Sequence, residues 1–79
     1  MQINVMYFAS LRDSSKISNE TIKTEVETVE ELFNFLNNKY SFDIDKSLLK
    51  VAINEEYKSF DTKIAHNDTI VFIPPVAGG

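Results

Sequence analysis

Cysteine is missing from the sequence altogether, and histidine occurs once. Without thiols there is no disulfide framework and no Cys-ligated metal site, and a reducing cytosol is the simplest compartment. The lone His66 sits beside the Asn67-Asp68 turn with no second imidazole to share a metal, which marks it as a solvated loop side chain rather than a ligand or general base. Basic residues are also few, 8 against 12 Asp and Glu, for a formal charge of −4. Phosphate binding needs clustered cations, whereas Arg12, Lys16, Lys23, Lys39, Lys46, Lys50, Lys58 and Lys63 are scattered along the chain. That argues against nucleic acid and favours a protein partner with a basic surface. No apolar run approaches the ~20 residues that span a bilayer, and Met1–Ser10 lacks a basic leader region. Neither export nor membrane insertion is indicated, and a cytoplasmic location is expected.

Catalytic signatures are absent too. Nothing resembles a Walker A loop, a GxGxxG turn, an HExxH pair or an EF-hand loop. The acid pairs Glu30-Glu31 and Glu55-Glu56 are explained by a helix start and a turn, and a catalytic dyad would need burial and opposed environments. Ser14-Ser15 have no base nearby, and one histidine makes a Ser-His triad a poor expectation. The chain offers no self-contained active site, no metal site and no cofactor site of its own.

What is present is an ordinary globular composition, 43% hydrophobic and 25% charged over 79 residues. One domain fits that length, and a domain so small buries only about 60% of the surface its unfolded chain exposes. Residues 2–8, QINVMYF, alternate with period two, placing Ile3, Val5 and Tyr7 toward a core and Asn4, Met6 and Phe8 on the other side. Ala9–Asn19, rich in Ser with Asp and Asn, reads as a turn or loop, and Glu20–Val26 as a second strand. Thr28-Val29-Glu30-Glu31 has the capping-box form, in which Thr28 takes the Glu31 N–H and the Glu31 side chain reaches back. The apolar stripe Val29, Leu32, Phe33, Leu36 and Tyr40 then predicts a helix over about Val29–Lys39, with acids at its start and Lys39 at its end suiting the helix dipole.

Ser41–Lys50 is a looser connection, with a short helical turn expected near Ser47–Leu49. Val51–Ile53, turned by Asn54-Glu55-Glu56 into Tyr57–Phe60, predicts a hairpin, and Thr69–Ile73 predicts a last strand apolar on both faces. A strand of that kind belongs in the centre of a sheet, partly covered on its second face by something outside this chain. The order is therefore ββαβββ, an α+β mixed sheet with one main helix on one face.

Glycine and proline are nearly absent, and the two of each fall together in IPPVAGG, residues 73–79. Pro74 and Pro75 lack an N–H and hold φ near −65°, so strand pairing stops at Ile73 and the chain leaves the sheet extended. Six residues at about 3.3–3.6 Å each reach about 20 Å, enough to enter a partner's pocket. The prolines also lower the entropy lost on immobilising the tail. Gly78 and Gly79 carry no Cβ, so a narrow channel can close around them and leave the terminal carbonyl open to attack. Terminal glycines alone often mean only a frayed end. A strand and a stiff proline pair before them make a specific constellation.

Phe8-Ala9-Ser10-Leu11-Arg12, Thr28-Val29-Glu30-Glu31-Leu32, Ala52-Ile53-Asn54 and Phe72-Ile73-Pro74-Pro75-Val76-Ala77-Gly78-Gly79 together resemble the small sulfur-carrier subunits of molybdopterin synthase, a ubiquitin-like family. The resemblance covers nearly the whole chain, and the ending is its most specific part. It implies a β-grasp domain over residues 1–73 with first and last strands parallel at the sheet's centre, and an extended tail over 74–79. It implies that an E1-like adenylyltransferase uses ATP and Mg²⁺ to adenylate the Gly79 carboxylate, that a sulfur donor protein converts it to a thiocarboxylate, and that the synthase large subunit uses that sulfur on the pterin precursor. Alone the chain would be a carrier; with the large subunit it would be part of a sulfur transferase. Phe8, Tyr57 and Ile73 are expected to anchor partners, with Pro74, Pro75, Val76 and Ala77 in the partner's channel. Whether each instead completes the core is an open alternative, strongest for Ile73. A carrier for thiamine or tRNA thiolation, a protein modifier and an inert-tailed interaction module are the competing readings.

Overall fold

The computed structural model describes residues 1–75. Its elements are β1 (Gln2–Tyr7), α1 (Ala9–Ser15), β2 (Asn19–Lys23), α2 (Val29–Tyr40), a 3₁₀ turn (Lys46–Leu48), β3 (Lys50–Ile53), β4 (Glu56–Lys58) and β5 (Thr69–Ile73). The five strands form one mixed sheet in the order β2-β1-β5-β3-β4. β1 and β5 run parallel at its centre, in register Asn4↔Thr69 to Tyr7↔Phe72. This is the β-grasp arrangement, with α2 across one face.

The core forms where the alternation predicts it. Ile3, Val5 and Tyr7 of β1 and Ile70 and Phe72 of β5 are essentially fully buried against Val29, Leu32 and Leu36 of α2. Each such side chain contributes about 1.5–3 kcal/mol by leaving water. The helix starts as its sequence dictates, with the Thr28 hydroxyl accepting the Glu31 N–H at 3.2 Å. The return contact differs from the expected box: the Glu31 carboxylate accepts the Glu27 N–H at 3.2 Å, one residue before the cap. The helix runs one residue past Lys39 and closes on Ser41 at φ 57, whose N–H meets the Asn37 carbonyl.

Three expectations need correction. Residues 9–15 form a helix, not a loop. Its Ser-rich sequence has little helical propensity, but burial of Leu11 and Ser15 on one side overrides it, and too few apolar residues make that side visible as a stripe. β2 stops at Lys23 rather than Val26: β1 begins at Gln2 opposite Lys23, and only Met1 carries the pairing one step further, its backbone exchanging hydrogen bonds with Thr24 at 2.9 and 3.0 Å. β4 is three residues long, and Phe60 has left it to stand beside Phe33 and Phe72, with ring centroids 6.1 and 6.3 Å away.

The β3–β4 hairpin turns on two residues, Asn54 at φ 52 and Glu55 at φ 75, the pair of left-handed conformations that matches strand twist. Asn54 does more than turn. Its side chain accepts the Thr69 N–H at 3.0 Å and donates to Asp68 at 2.9 Å, which ties the hairpin to the start of β5. At the same end the Gln2 N–H donates to His66 Nδ1 at 3.0 Å, so the single histidine, though exposed, is a strut between the loop and β1.

Candidate functional site

Strand parity decides what the sheet shows to solvent. With Ile3, Val5, Tyr7, Ile70 and Phe72 turned toward α2, the alternate residues Asn4, Met6, Thr69, Val71 and Ile73 face the other way. The registers Met6↔Val71, Val71↔Ala52 and Ala52↔Tyr57 set four of these side chains in a row across β1, β5, β3 and β4. No helix of the described residues covers them. Met6 and Val71 are half-buried, Ala52 is buried and Tyr57 is 73% exposed, so this row is apolar and turned toward solvent.

At the upper end of the row stand the residues singled out from sequence. Phe8 follows β1, 43% exposed, in the extended conformation from which α1 starts. It lies one step beyond the Tyr7↔Phe72 pair, beside Ile73 on the parallel strand. Ile73 itself is half-buried on the open face and pairs with Lys50 of β3. The structure thus brings Phe8 and Ile73 to one end of the sheet and places Tyr57 on the same face two strands away. Pro74 is buried and Pro75 exposed, both outside the last strand. Val76, Ala77, Gly78 and Gly79 lie outside the described residues.

Behind this face sits a polar cluster that sequence reasoning missed. Glu20, inward on β2, accepts the Tyr7 hydroxyl at 2.5 Å and the Tyr40 hydroxyl at 2.6 Å through one oxygen, while Lys39 lies 3.7 Å from the other. Burial, reinforced by the Glu20 carboxylate, raises Tyr7 well above the usual phenol range, and the same two causes raise Tyr40 against the opposing pull of Lys39. Lys39 is raised as well, first by its contact with Tyr40 and then by the charge of Glu20. All three groups stay in their neutral or cationic donor forms near neutral pH. The cluster staples β1, β2 and the end of α2 directly beneath Phe8. A signal existed: an inward Tyr7 must find a partner for its hydroxyl, and Glu20 is the inward acid of the neighbouring strand.

Chemistry otherwise remains sparse. Among the described residues no three His, Cys, Asp or Glu side chains are grouped to hold a metal. An open groove of roughly 800 Å³ runs beside the upper ends of β3 and β4, lined by Leu49, Val51, Tyr57 and Phe60 with Lys50 and Lys58. Among the described residues, no helix is long and apolar enough to cross a membrane.

The model of the ThiS family matches residues 5–79. The chain is 29% identical over 80 residues to the molybdopterin synthase sulfur carrier subunit of Haemophilus influenzae, covering 98% of this chain and 99% of that protein. Subunits 1 and 2 of the molybdopterin-converting factor from Helicobacter pylori have been solved as a complex, and a chain of it superimposes with a TM-score of 0.70 at 26% identity over the full length of both chains. SAMP1 from Haloferax volcanii superimposes with a TM-score of 0.80 over all of both chains at 18% identity, a likeness of fold.

Proposed function

We propose, from the premise that the chain belongs to the ThiS family, that it is the sulfur-carrier subunit of a molybdopterin synthase. The observation that carries the reading is the open apolar face whose upper edge, Phe8 and Ile73, stands where the chain turns into Pro74-Pro75. A carrier has to present its reactive end while its body is held by another protein. A docking patch at the root of the tail does both, since well-packed aromatic anchors supply most of the affinity of such interfaces.

In this reading the Gly79 carboxylate attacks the α-phosphorus of ATP on an E1-like adenylyltransferase, releasing pyrophosphate. Sulfide-level sulfur from a donor then attacks the acyl carbon and displaces AMP, leaving a thiocarboxylate. Docked on the large subunit, the thiocarboxylate sulfur bonds to a carbon of the pterin precursor, and water then cleaves the acyl–sulfur bond, leaving the sulfur on the pterin and returning the Gly79 carboxylate. ATP and Mg²⁺ belong to the activating partner. Phe8, Tyr57 and Ile73 hold the body, Val76 and Ala77 thread the channel beside the exposed Pro75, and the two glycines allow the channel to close around the backbone. Pro74, being buried, acts as the hinge post that aims the tail rather than as a contact.

The test is the intact mass of the protein after incubation with its activating enzyme, ATP and a sulfur source. Exchange of one terminal oxygen for sulfur is expected, and its loss on deletion of Gly78-Gly79. An unchanged mass overturns the reading, and ATP-dependent conjugates of higher mass in lysate would make the chain a protein modifier instead.

A further inference from the structure

The charges of this acidic chain are not spread evenly over its surfaces. Of the five strands only β2 and β4 carry acids, Glu20 and Glu56. Both lie opposite core residues, Glu20 against Val5 and Glu56 against Ile53, and so share the helix-covered side. The remaining acids sit on helices, turns and loops. The strand positions of the open face therefore hold no carboxylate; beside them, at the end away from Lys50, Glu55 of the β3–β4 turn lines a hollow with Met6, Asn54, Thr69 and Val71. The only charged side chains at those strand positions are Lys23, at the lower margin opposite Gln2, and Lys50, at the upper margin opposite Ile73.

Lys50 is exposed and shares the face of Ile73 and Tyr57. Among the described residues the ion pairs join Met1 to Glu25, Lys39 to Glu20, Lys46 to Glu30 and Lys58 to Glu56, and none uses Lys50. It also lines the open groove beside β3 and β4, next to Tyr57 and Lys58 and with no acid among the lining residues. An ammonium group thus stands at the rim of an apolar patch, beside the strand that leads into the tail, in no ion pair among the described residues.

We infer that the open face docks on a partner surface that is acidic at its rim, and that Lys50 is the residue that reads it by pairing with a partner carboxylate in the groove. This rests on the docking role given to Phe8 and Ile73 and adds the sign of the partner. It also reverses the expectation drawn from net charge, which pointed to a basic partner. Net charge sums over the whole chain, whereas a docked protein meets one face, and complementarity at a rim governs register and encounter rate.

The experiment is a calorimetric titration of the full-length chain, Lys50→Glu, Lys50→Met and Phe8→Ala with the molybdopterin synthase large subunit of the same genome, at low and high salt. Lys50→Glu should weaken binding by about tenfold or more at low salt, and Lys50→Met by less, with both losses shrinking at high salt as exposed charges are screened. Thermal melting should be unchanged in both, because the side chain is exposed. If Phe8→Ala weakens binding while Lys50→Glu binds as well as or better than the native chain, the acidic rim is refuted and the docking face survives. A loss from Lys50→Glu that is equal at both salts also refutes it. Native binding by both Phe8→Ala and Lys50→Glu refutes the docking face itself. Dissociation of a native dimer by Lys50→Glu would mean that a second copy occupies the face, which overturns the assignment to a partner.

Discussion

The two faces of the sheet come from the same strands, residue by residue in alternation, yet they answer to different demands. The inner face is closed by α2, and its side chains, from Ile3 to Phe72, are packed out of reach of water. The outer face carries Met6, Val71, Ala52 and Tyr57 in an equally apolar row with no cover within the described residues. The difference teaches where a second molecule can dock. Apolar residues whose burial the chain itself does not complete are there for another molecule.

Substitutions can break this contrast, the most damaging on the inner side. Phe72→Ala empties the centre of the aromatic cluster with Phe33 and Phe60 and should cost about 3–5 kcal/mol, close to the whole stability of so small a domain. Urea unfolding would show it as loss of the folded baseline, and a small shift would mean that the inner face is not the core. Glu20→Ala removes the shared acceptor of Tyr7 and Tyr40 and should cost about 1.5–3 kcal/mol. Alkaline titration sharpens the point. With both phenols raised in the folded state, their contribution is intact below the ordinary value of 10.0 and is lost as the pH climbs above it, where only the unfolded chain ionises. Tyr7→Phe should flatten that decline.

Thr28→Ala, at the helix cap, should cost about 1 kcal/mol by the same measurement. On the outer side, Phe8→Ala and Tyr57→Ala should each stay within about 0.5 kcal/mol of the native stability, since both side chains are exposed. Their effect belongs in the affinity for the large subunit, with a loss of about tenfold or more expected for Phe8→Ala. A stability loss comparable to that of Phe72→Ala would erase the distinction between the faces.

The parts of this arrangement that could be read from sequence are those set by local rules. Period two in Ile3, Val5 and Tyr7 assigned the inner face, the Thr28 cap and its apolar stripe placed α2, and a last strand apolar on both sides was rightly central. What escaped reading depends on cross-strand register. Glu20 meets Tyr7 only because β2 pairs antiparallel to β1, and Lys50 stands beside Ile73 only because β3 pairs with β5. α1 escaped because one buried leucine holds it down. Phe8, Tyr57 and Ile73 follow from the apolar alternation laid onto the β-grasp sheet that the resemblance implies, and they lie on or beside one face.

The central pairing of the first strand with the last has a consequence for biogenesis. β1 emerges from the ribosome before β5 and cannot find its parallel neighbour until β5 has followed it, 65 residues later in register (Asn4↔Thr69). Contact order this long couples the maturity of the globule to the emergence of β5. A product aborted before β5 would lack the middle of its sheet and fall to proteolysis, so incomplete carriers would be removed before they could occupy a partner's docking surface.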